Sequence, residues 1–123
     1  MQKILIADDE KAIRAVLEKF LTIQGYDVLV AEDGLATIEK IKSCDFNLLI
    51  VDLKMPQADF GRIILELRER KKDVPVIILT GSIDAEQSEE LKKWGYSGSD
   101  VLVKPAGLDV ILAKIREKLP ASL

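Results

Sequence analysis

Four short apolar runs, each ending against a charged or hydroxyl side chain, constrain this chain more than any other feature. They are Ile4-Leu5-Ile6-Ala7 before Asp8 and Asp9, Leu48-Leu49-Ile50-Val51 before Asp52, Val76-Ile77-Ile78-Leu79 before Thr80, and Val101-Leu102-Val103 before Lys104. Each is bounded like a strand, and the last three are almost wholly apolar, as strands are when helices cover both faces of a sheet. The segments between them carry helical stripes. Ile13, Val16, Leu17, Phe20 and Leu21 run up to Gly25; Leu35, Ile38 and Ile41 follow a short strand at Val28 to Ala31; Phe60, Ile63, Ile64 and Leu67 follow Asp52. A more polar helix runs from about Ala85 to Trp94 and stops at Gly95, and Leu108, Ile111, Leu112 and Ile115 stripe the last helix. Strand and helix alternate five times, so the expected class is α/β, a (βα)5 doubly wound parallel sheet. Right-handed crossovers and a switch point beside the first strand give a flavodoxin-like strand order, 2-1-3-4-5.

The chain has 123 residues, of which 48% are apolar. That suits one domain over residues 1–123, with no internal repeat, linker or low-complexity tract. A net charge of −3 disfavours nucleic acid as a direct partner, because a phosphate backbone calls for clustered cations. Basic residues gather weakly at Arg68, Arg70, Lys71 and Lys72, and again at Lys114, Arg116 and Lys118. Both groups fall at helix C-termini, where cations complement the dipole. The single cysteine, Cys44, fits a reducing compartment and reads as a half-buried packing residue, since the chain has no histidine to activate it. The start, Met1-Gln2-Lys3, leads straight into a strand, with no signal peptide and no membrane span; the expected location is cytoplasmic.

In an open parallel sheet, ligands bind outside the carboxyl ends of the strands. Asp8, Asp9, Asp52, Thr80 and Lys104 all sit at such ends. Taken singly, Asp8 could cap the first helix, Thr80 could be an ordinary strand residue, and Lys104 a solvated cation. Taken together they converge. Neighbouring carboxylates repel and raise each other's proton affinity unless a cation lies between them. A hard divalent ion such as Mg²⁺ takes oxygen ligands and shares its shell with phosphate, while a lysine and a hydroxyl suit phosphoryl oxygens. The pattern is that of a phosphoryl acceptor.

Taken in order, Ile6-Ala7-Asp8-Asp9-Glu10, Val51-Asp52-Leu53-Lys54-Met55-Pro56, Leu79-Thr80-Gly81 and Val103-Lys104-Pro105 resemble the receiver domain of two-component response regulators. The resemblance extends over essentially the whole chain and is to the stand-alone, chemotaxis-type form, with no output domain. It implies that Asp52 is the phosphoacceptor. A carboxylate is itself a nucleophile and needs no general base to take a phosphoryl group from a phosphohistidine. It further implies Mg²⁺ held by Asp9 and Asp52, by Asp8 through water, and by the backbone carbonyl of Lys54. Thr80 and Lys104 would contact the phosphoryl oxygens, and the Lys104–Pro105 peptide would be cis. The implied partners are a sensor histidine kinase or phosphotransfer protein, and a downstream protein meeting the face of helix 4, strand 5 and helix 5. The implied role is a phosphorylation switch, with self-catalysed phosphorylation and autodephosphorylation as its only chemistry.

Other readings of the same residues are an aspartyl-phosphate-forming small-molecule phosphatase, a nucleotide- or flavin-binding domain, and a degenerate receiver that only docks partners. The first wants an acid two residues after the nucleophile, where this chain has Lys54. The second wants a glycine-rich first turn, where this chain has Asp-Asp-Glu-Lys. The third sits badly with a full set of site residues. Three features depart from the family pattern. Val101 stands where many receivers carry a mobile Tyr or Phe, Phe60 stands where a glycine is usual, and the stretch from Thr80 to Lys104 is slightly long near Trp94-Gly95-Tyr96. Tyr96 is then either a surface aromatic or the group that replaces the missing ring, with Trp94 a packing residue at the helix end.

Overall fold

A computed structural model describes residues 1–70 and 73–120. Strands β1 (Lys3–Ala7), β2 (Asp27–Ala31), β3 (Leu48–Val51), β4 (Val76–Thr80) and β5 (Val101–Val103) alternate with helices α1 (Lys11–Ile23), α2 (Gly34–Ser43), α3 (Phe60–Glu69), α4 (Ala85–Lys93) and α5 (Leu108–Lys118). The strands form one parallel sheet in the order β2-β1-β3-β4-β5, as the sequence pattern implied. Glycines end two helices for a backbone reason: Gly25 and Gly95 take φ of 98° and 89°, where a side chain is strained.

The central strands are apolar at successive positions because both faces are covered. Leu5, Ala7, Leu49, Val51, Val76 and Ile78 pack with Ile38, Ile41, Phe60, Ile63, Ile64, Leu67 and Leu91, which come from α2, α3 and α4. Ile4, Ile6, Leu48, Ile50, Ile77 and Leu79 pack on the other face with Leu17, Leu21, Ile111 and Ile115, from α1 and α5. Each fully buried aliphatic side chain contributes about 1.5–3 kcal/mol, so the two cores are the main source of stability.

Two stripe positions expected from the sequence lie outside these cores. Val16 is 52% exposed and Leu35 47% exposed. Each stands roughly 100° around its helix from the buried line, Leu17 and Leu21 in α1 and Gly34, Thr37, Ile38 and Ile41 in α2, which is the rotation of a single residue step. The expected strand at Val28 to Ala31 begins one residue earlier, at Asp27, and Asp52 lies just past the end of β3 rather than within it. Helix α4 has only Leu91 buried, in keeping with its polar sequence.

Two of the basic residues at helix ends do more than complement a dipole. The Arg68 guanidinium donates to the Trp94 carbonyl and lies 5.4 Å from the Trp94 ring and 5.9 Å from the Tyr96 ring. The Lys118 ammonium pairs with Asp100, whose other carboxylate oxygen accepts from Ser97 N at 2.8 Å. These contacts pin both ends of the 94–100 segment that leads into β5. Lys71 and Lys72 lie outside the described residues.

Phe60, at the position where the family usually has glycine, is 3% exposed and meets Tyr96 edge-on at 5.9 Å. Phe60→Ala should lower unfolding free energy by about 3–5 kcal/mol. Urea denaturation checks this; a loss under about 1 kcal/mol would show that the ring is not part of the core. Burial works to raise the Asp100 carboxyl, but hydrogen bonds from Lys118 and the Ser97 amide, with Lys118 and Lys114 charges, hold it below its ordinary value. A folded-state value below the unfolded one of about 3.9 makes this stabilisation complete above that pH, and it is lost as pH falls through the folded value. Lys118→Met should therefore cost about 1 kcal/mol at neutral pH and progressively less as pH falls below the ordinary carboxylate value of about 3.9. Denaturation of both proteins across that range provides the check.

Candidate functional site

The sheet ladder itself delivers the site residues. Ala7 pairs with Val51 in register, and the ladder continues one step beyond each strand: Asp8 N donates to Ala31 O at 3.1 Å, Asp52 N to Ala7 O at 3.0 Å and Lys104 N to Thr80 O at 2.7 Å. Side chains alternate across a strand, so residues two apart share a face. Asp8 follows Ile4 and Ile6, Asp52 follows Leu48 and Ile50, and Lys104 follows Leu102, all on the α1/α5 side. Those three side chains are thereby aimed at one another. Thr80 follows Val76 and Ile78 on the opposite side. It is fully buried, and its hydroxyl donates to the Ser82 carbonyl at 3.3 Å.

Lys104 Nζ lies 2.7 Å from Asp8 Oδ2, 2.9 Å from Glu10 Oε1 and 2.9 Å from Asp52 Oδ2. Asp8, Lys104 and Asp52 side chains are 3%, 10% and 6% exposed, so the charges face each other largely out of solvent. Burial is the largest influence on Asp8 and raises its carboxyl above the ordinary value; bonds from Lys104 and the Glu10 amide offset this in part, while the Asp52 charge adds to it. Burial works to lower Lys104, but its bonds to Asp8, Glu10 and Asp52 outweigh that and push the ammonium up. The lysine stays charged.

Asp8 serves two ends. One carboxylate oxygen takes the lysine, and the other accepts from Glu10 N at 2.9 Å at the entry to α1, where no side chain of the N-cap residue itself does so. That bond goes to the amide of the N-cap residue Glu10 and not to one inside the helix, so Asp8 braces the approach to α1 without capping it; the charge-cluster reading holds and the helix-cap reading does not. Arg14 adds a bond to the Asp8 carbonyl at 2.7 Å. Asp52 Oδ1 accepts from Lys54 N at 3.1 Å, tying the acid to the loop after β3. The exposed Lys54 ammonium reaches Ser82 Oγ at 3.1 Å, across from that loop to the one after β4. The Lys104–Pro105 peptide is cis.

Glu10, Arg14 and Ser82 were not singled out from the sequence as members of the site. For Glu10 a signal was present, a third acid immediately after the Asp pair; Arg14 and Ser82 join through a backbone carbonyl and a neighbouring side chain, which no spacing encodes.

Oxygen atoms of Asp8, Asp9, Glu10 and Asp52 all lie within 4.8 Å of one another, with Asp9 and Glu10 exposed. Lys104 is the one ammonium paired with this cluster among the described residues, and it bonds three of its four carboxylates, Asp8, Glu10 and Asp52, so the cluster is strongly underneutralised. An all-oxygen donor set with an open side is what a hard divalent ion such as Mg²⁺ requires.

The sequence matches the response regulator receiver domain family over residues 4–116. The chain belongs to that family. It is a receiver domain of two-component response regulators, with the expected five-stranded fold. It is 39% identical over 118 residues to the protein named "Probable transcriptional regulator ycf27" of Porphyridium aerugineum, an alignment covering 96% of this chain and 48% of that one. This receiver domain spans about half the length of the curated relatives it matches. Its fold superposes with a TM-score of 0.88 on a CheY-like receiver domain protein from Methanospirillum hungatei JF-1, at 28% identity, covering 97% of this chain and 94% of that one. It also superposes on the response regulator TrrA from Thermotoga maritima in complex with Mg²⁺ and BeF, with a TM-score of 0.81, 31% identity, and coverage of 97% and 100%.

The receiver's Tyr96 is half-buried, packed with Phe60 and beneath Arg68, and with Val101 it lines a pocket of about 310 Å³ between α4 and β5. It is not a surface aromatic. Among the described residues no helix is long and apolar enough to cross a membrane.

If Lys104 is the cation that offsets Asp8 and Asp52, Lys104→Ala should lower the Tm in metal-free buffer, and Mg²⁺ should raise the Tm of this variant more than that of wild type. Thermal melts with EDTA and with millimolar Mg²⁺ make the comparison; equal Mg²⁺ shifts would show that lysine and metal do not share the same charges.

Proposed function

We propose that Asp52 is the phosphoacceptor and that the receiver works as a cytoplasmic phosphorylation switch. The observation that carries this is the Lys104 ammonium bonded to Asp52 Oδ2 within a cluster of four carboxylates. An Asp52 oxygen attacks phosphorus in line, the P–N bond of a phosphohistidine breaks, and the imidazole leaves with the electron pair and takes up a proton. Asp52 then carries an acyl phosphate. Lys104 moves from the carboxylates to a phosphoryl oxygen, and Thr80 turns its hydroxyl from Ser82 O to another.

Asp9 and Asp52 would hold Mg²⁺ directly, Asp8 through water, and the Lys54 carbonyl would supply a further oxygen. The ion would screen the acids from the incoming phosphate. Because metal, lysine and hydroxyl all belong to the receiver, phosphorylation and dephosphorylation are catalysed by this chain itself, and small phosphodonors suffice. The donor in signalling is a sensor histidine kinase or a phosphotransfer protein. A net charge of −3 supports output through a protein and not through direct contact with nucleic acid. The phosphatase reading finds no support: two residues after Asp52 stands Lys54, whose ammonium is bonded to Ser82.

The output surface is α4, β5 and α5. Thr80 and Lys104 join this region to the site, α4 is anchored by a single buried residue, and the pocket beside Val101 leaves room for movement. Val101 is short and β-branched, so Tyr96 and its loop carry the change in place of a swinging ring.

Acetyl phosphate with Mg²⁺ should label the wild-type receiver with a hydroxylamine-labile phosphoryl group, and Asp52→Asn should abolish the label. Retention of label in Asp52→Asn would assign the wrong acid. Beryllofluoride with Mg²⁺ should change amide exchange in α4 and the 94–100 segment and alter Trp94 fluorescence. Changes confined to α2 and α3 would contradict the assigned surface.

A further inference from the structure

Gly34 opens α2, and its φ is not in the left-handed region, so its own backbone does not call for glycine. Alanine is the better helix former at such a position. What excludes alanine is close contact. A Cβ on Gly34 would lie 2.5 Å from both Cβ and N of Ala58 and 2.6 Å from its carbonyl oxygen. Two of those atoms are backbone and cannot rotate away. The Gly34 amide also donates to Pro56 O at 2.9 Å. The first residue of α2 is thus seated directly on the loop that follows Asp52.

Between those two contacts stands Gln57, with φ of 80°, the sole non-glycine residue with positive φ among the described residues. Proline followed by a positive-φ residue is the pattern of a type II turn, whose third position favours glycine. A side-chain-bearing residue there is strained, and strain of this kind persists when the surroundings over-determine it. The loop is held from within by Lys54 N on Asp52 and by Asp59, which accepts from Arg62 N at the start of α3. Gly34 supplies the backbone hydrogen bond that reaches the turn from a different element.

We infer that Gly34 is a positioning residue for the metal site: by a backbone contact that glycine alone permits, it clamps the strained turn at Pro56 to Ala58 and so fixes the Lys54 carbonyl relative to Asp9 and Asp52. The inference rests on the reading of that carbonyl as a Mg²⁺ ligand. A Cβ at 2.5 Å must force the turn back by roughly 1 Å to regain ordinary contact at 3.4–4 Å. Only Met55 separates the turn from Lys54, and Mg²⁺ tolerates little departure from octahedral geometry.

The test is Mg²⁺ titration of the phosphate-free receiver, followed through the amide shifts of Asp9, Asp52 and Lys54. Gly34→Ala should raise the Mg²⁺ Kd about tenfold, as loss of support behind a ligand does. Asp33→Ala removes the α2 cap, a bond from Ala36 N, without pushing on the loop. It should lower the Tm yet leave the Kd within about twofold of wild type. A Gly34→Ala Kd within twofold of wild type would overturn the inference, as would an equal rise in Asp33→Ala. Should Gly34→Ala not fold, Gly34→Ala combined with Ala58→Gly relieves the Cβ clash alone, and a wild-type Kd there overturns it too. Asp9→Asn serves as the reference: undiminished Mg²⁺ binding in that variant would remove the metal-site reading itself.

Discussion

Like charges held together at the end of a parallel sheet set the terms for the rest of this molecule. Asp8 and Asp52 are buried at adjacent strand ends because β1 and β3 pair in register, and their proximity would be untenable without the Lys104 ammonium between them. At such separations in a partly desolvated setting, charge interactions are worth several kcal/mol, more than any single surface pair contributes. The lysine therefore holds the acids in place, while as a single ammonium among four carboxylates it leaves the cluster short of positive charge. That second property suits the site to take up a divalent ion and a phosphoryl group, both of which relieve charges the fold has already brought together.

The alternation of side chains across the sheet divides the site between its two faces. Asp8, Asp52 and Lys104 belong to the α1/α5 side, while Thr80 belongs with α3 and α4. A phosphoryl group on Asp52 would engage both, which is how a covalent event on one face could be felt on the other. The α4 side is also the more loosely built, with Leu91 as its helix's buried anchor and the 94–100 segment held mainly by Arg68 and the Lys118–Asp100 pair. Local stability follows buried apolar contact, so these elements are the ones free to respond.

The strands, their order and the site's principal residues were legible in the sequence because each strand is an uninterrupted apolar run closing on a polar residue. Period and composition encode that directly. Asp8, Asp9, Asp52, Thr80 and Lys104 could be placed at strand ends for the same reason. Glu10 joining Lys104, and Lys54 reaching Ser82, depend on side-chain reach across loops, which spacing does not record. Val16 and Leu35 were misplaced because hydrophobicity says what could be buried, not which side of the helix the sheet covers. Phe60 stood out from the sequence as a departure near the acceptor loop. The structure accounts for it through the core and its edge contact with Tyr96, and places the backbone departure at Gln57.

The central claim is that the carboxylate gripped by Lys104 is the one that receives phosphorus. Borohydride reduces an aspartyl phosphate to homoserine and leaves an unmodified carboxylate alone, so treatment of the phosphorylated receiver, proteolysis and peptide mass measurement read the acceptor position directly. Homoserine at position 52, with none at positions 8 or 9, is the expected result. Homoserine at either of those positions, or at no aspartate in a protein that has taken up phosphate, would contradict it.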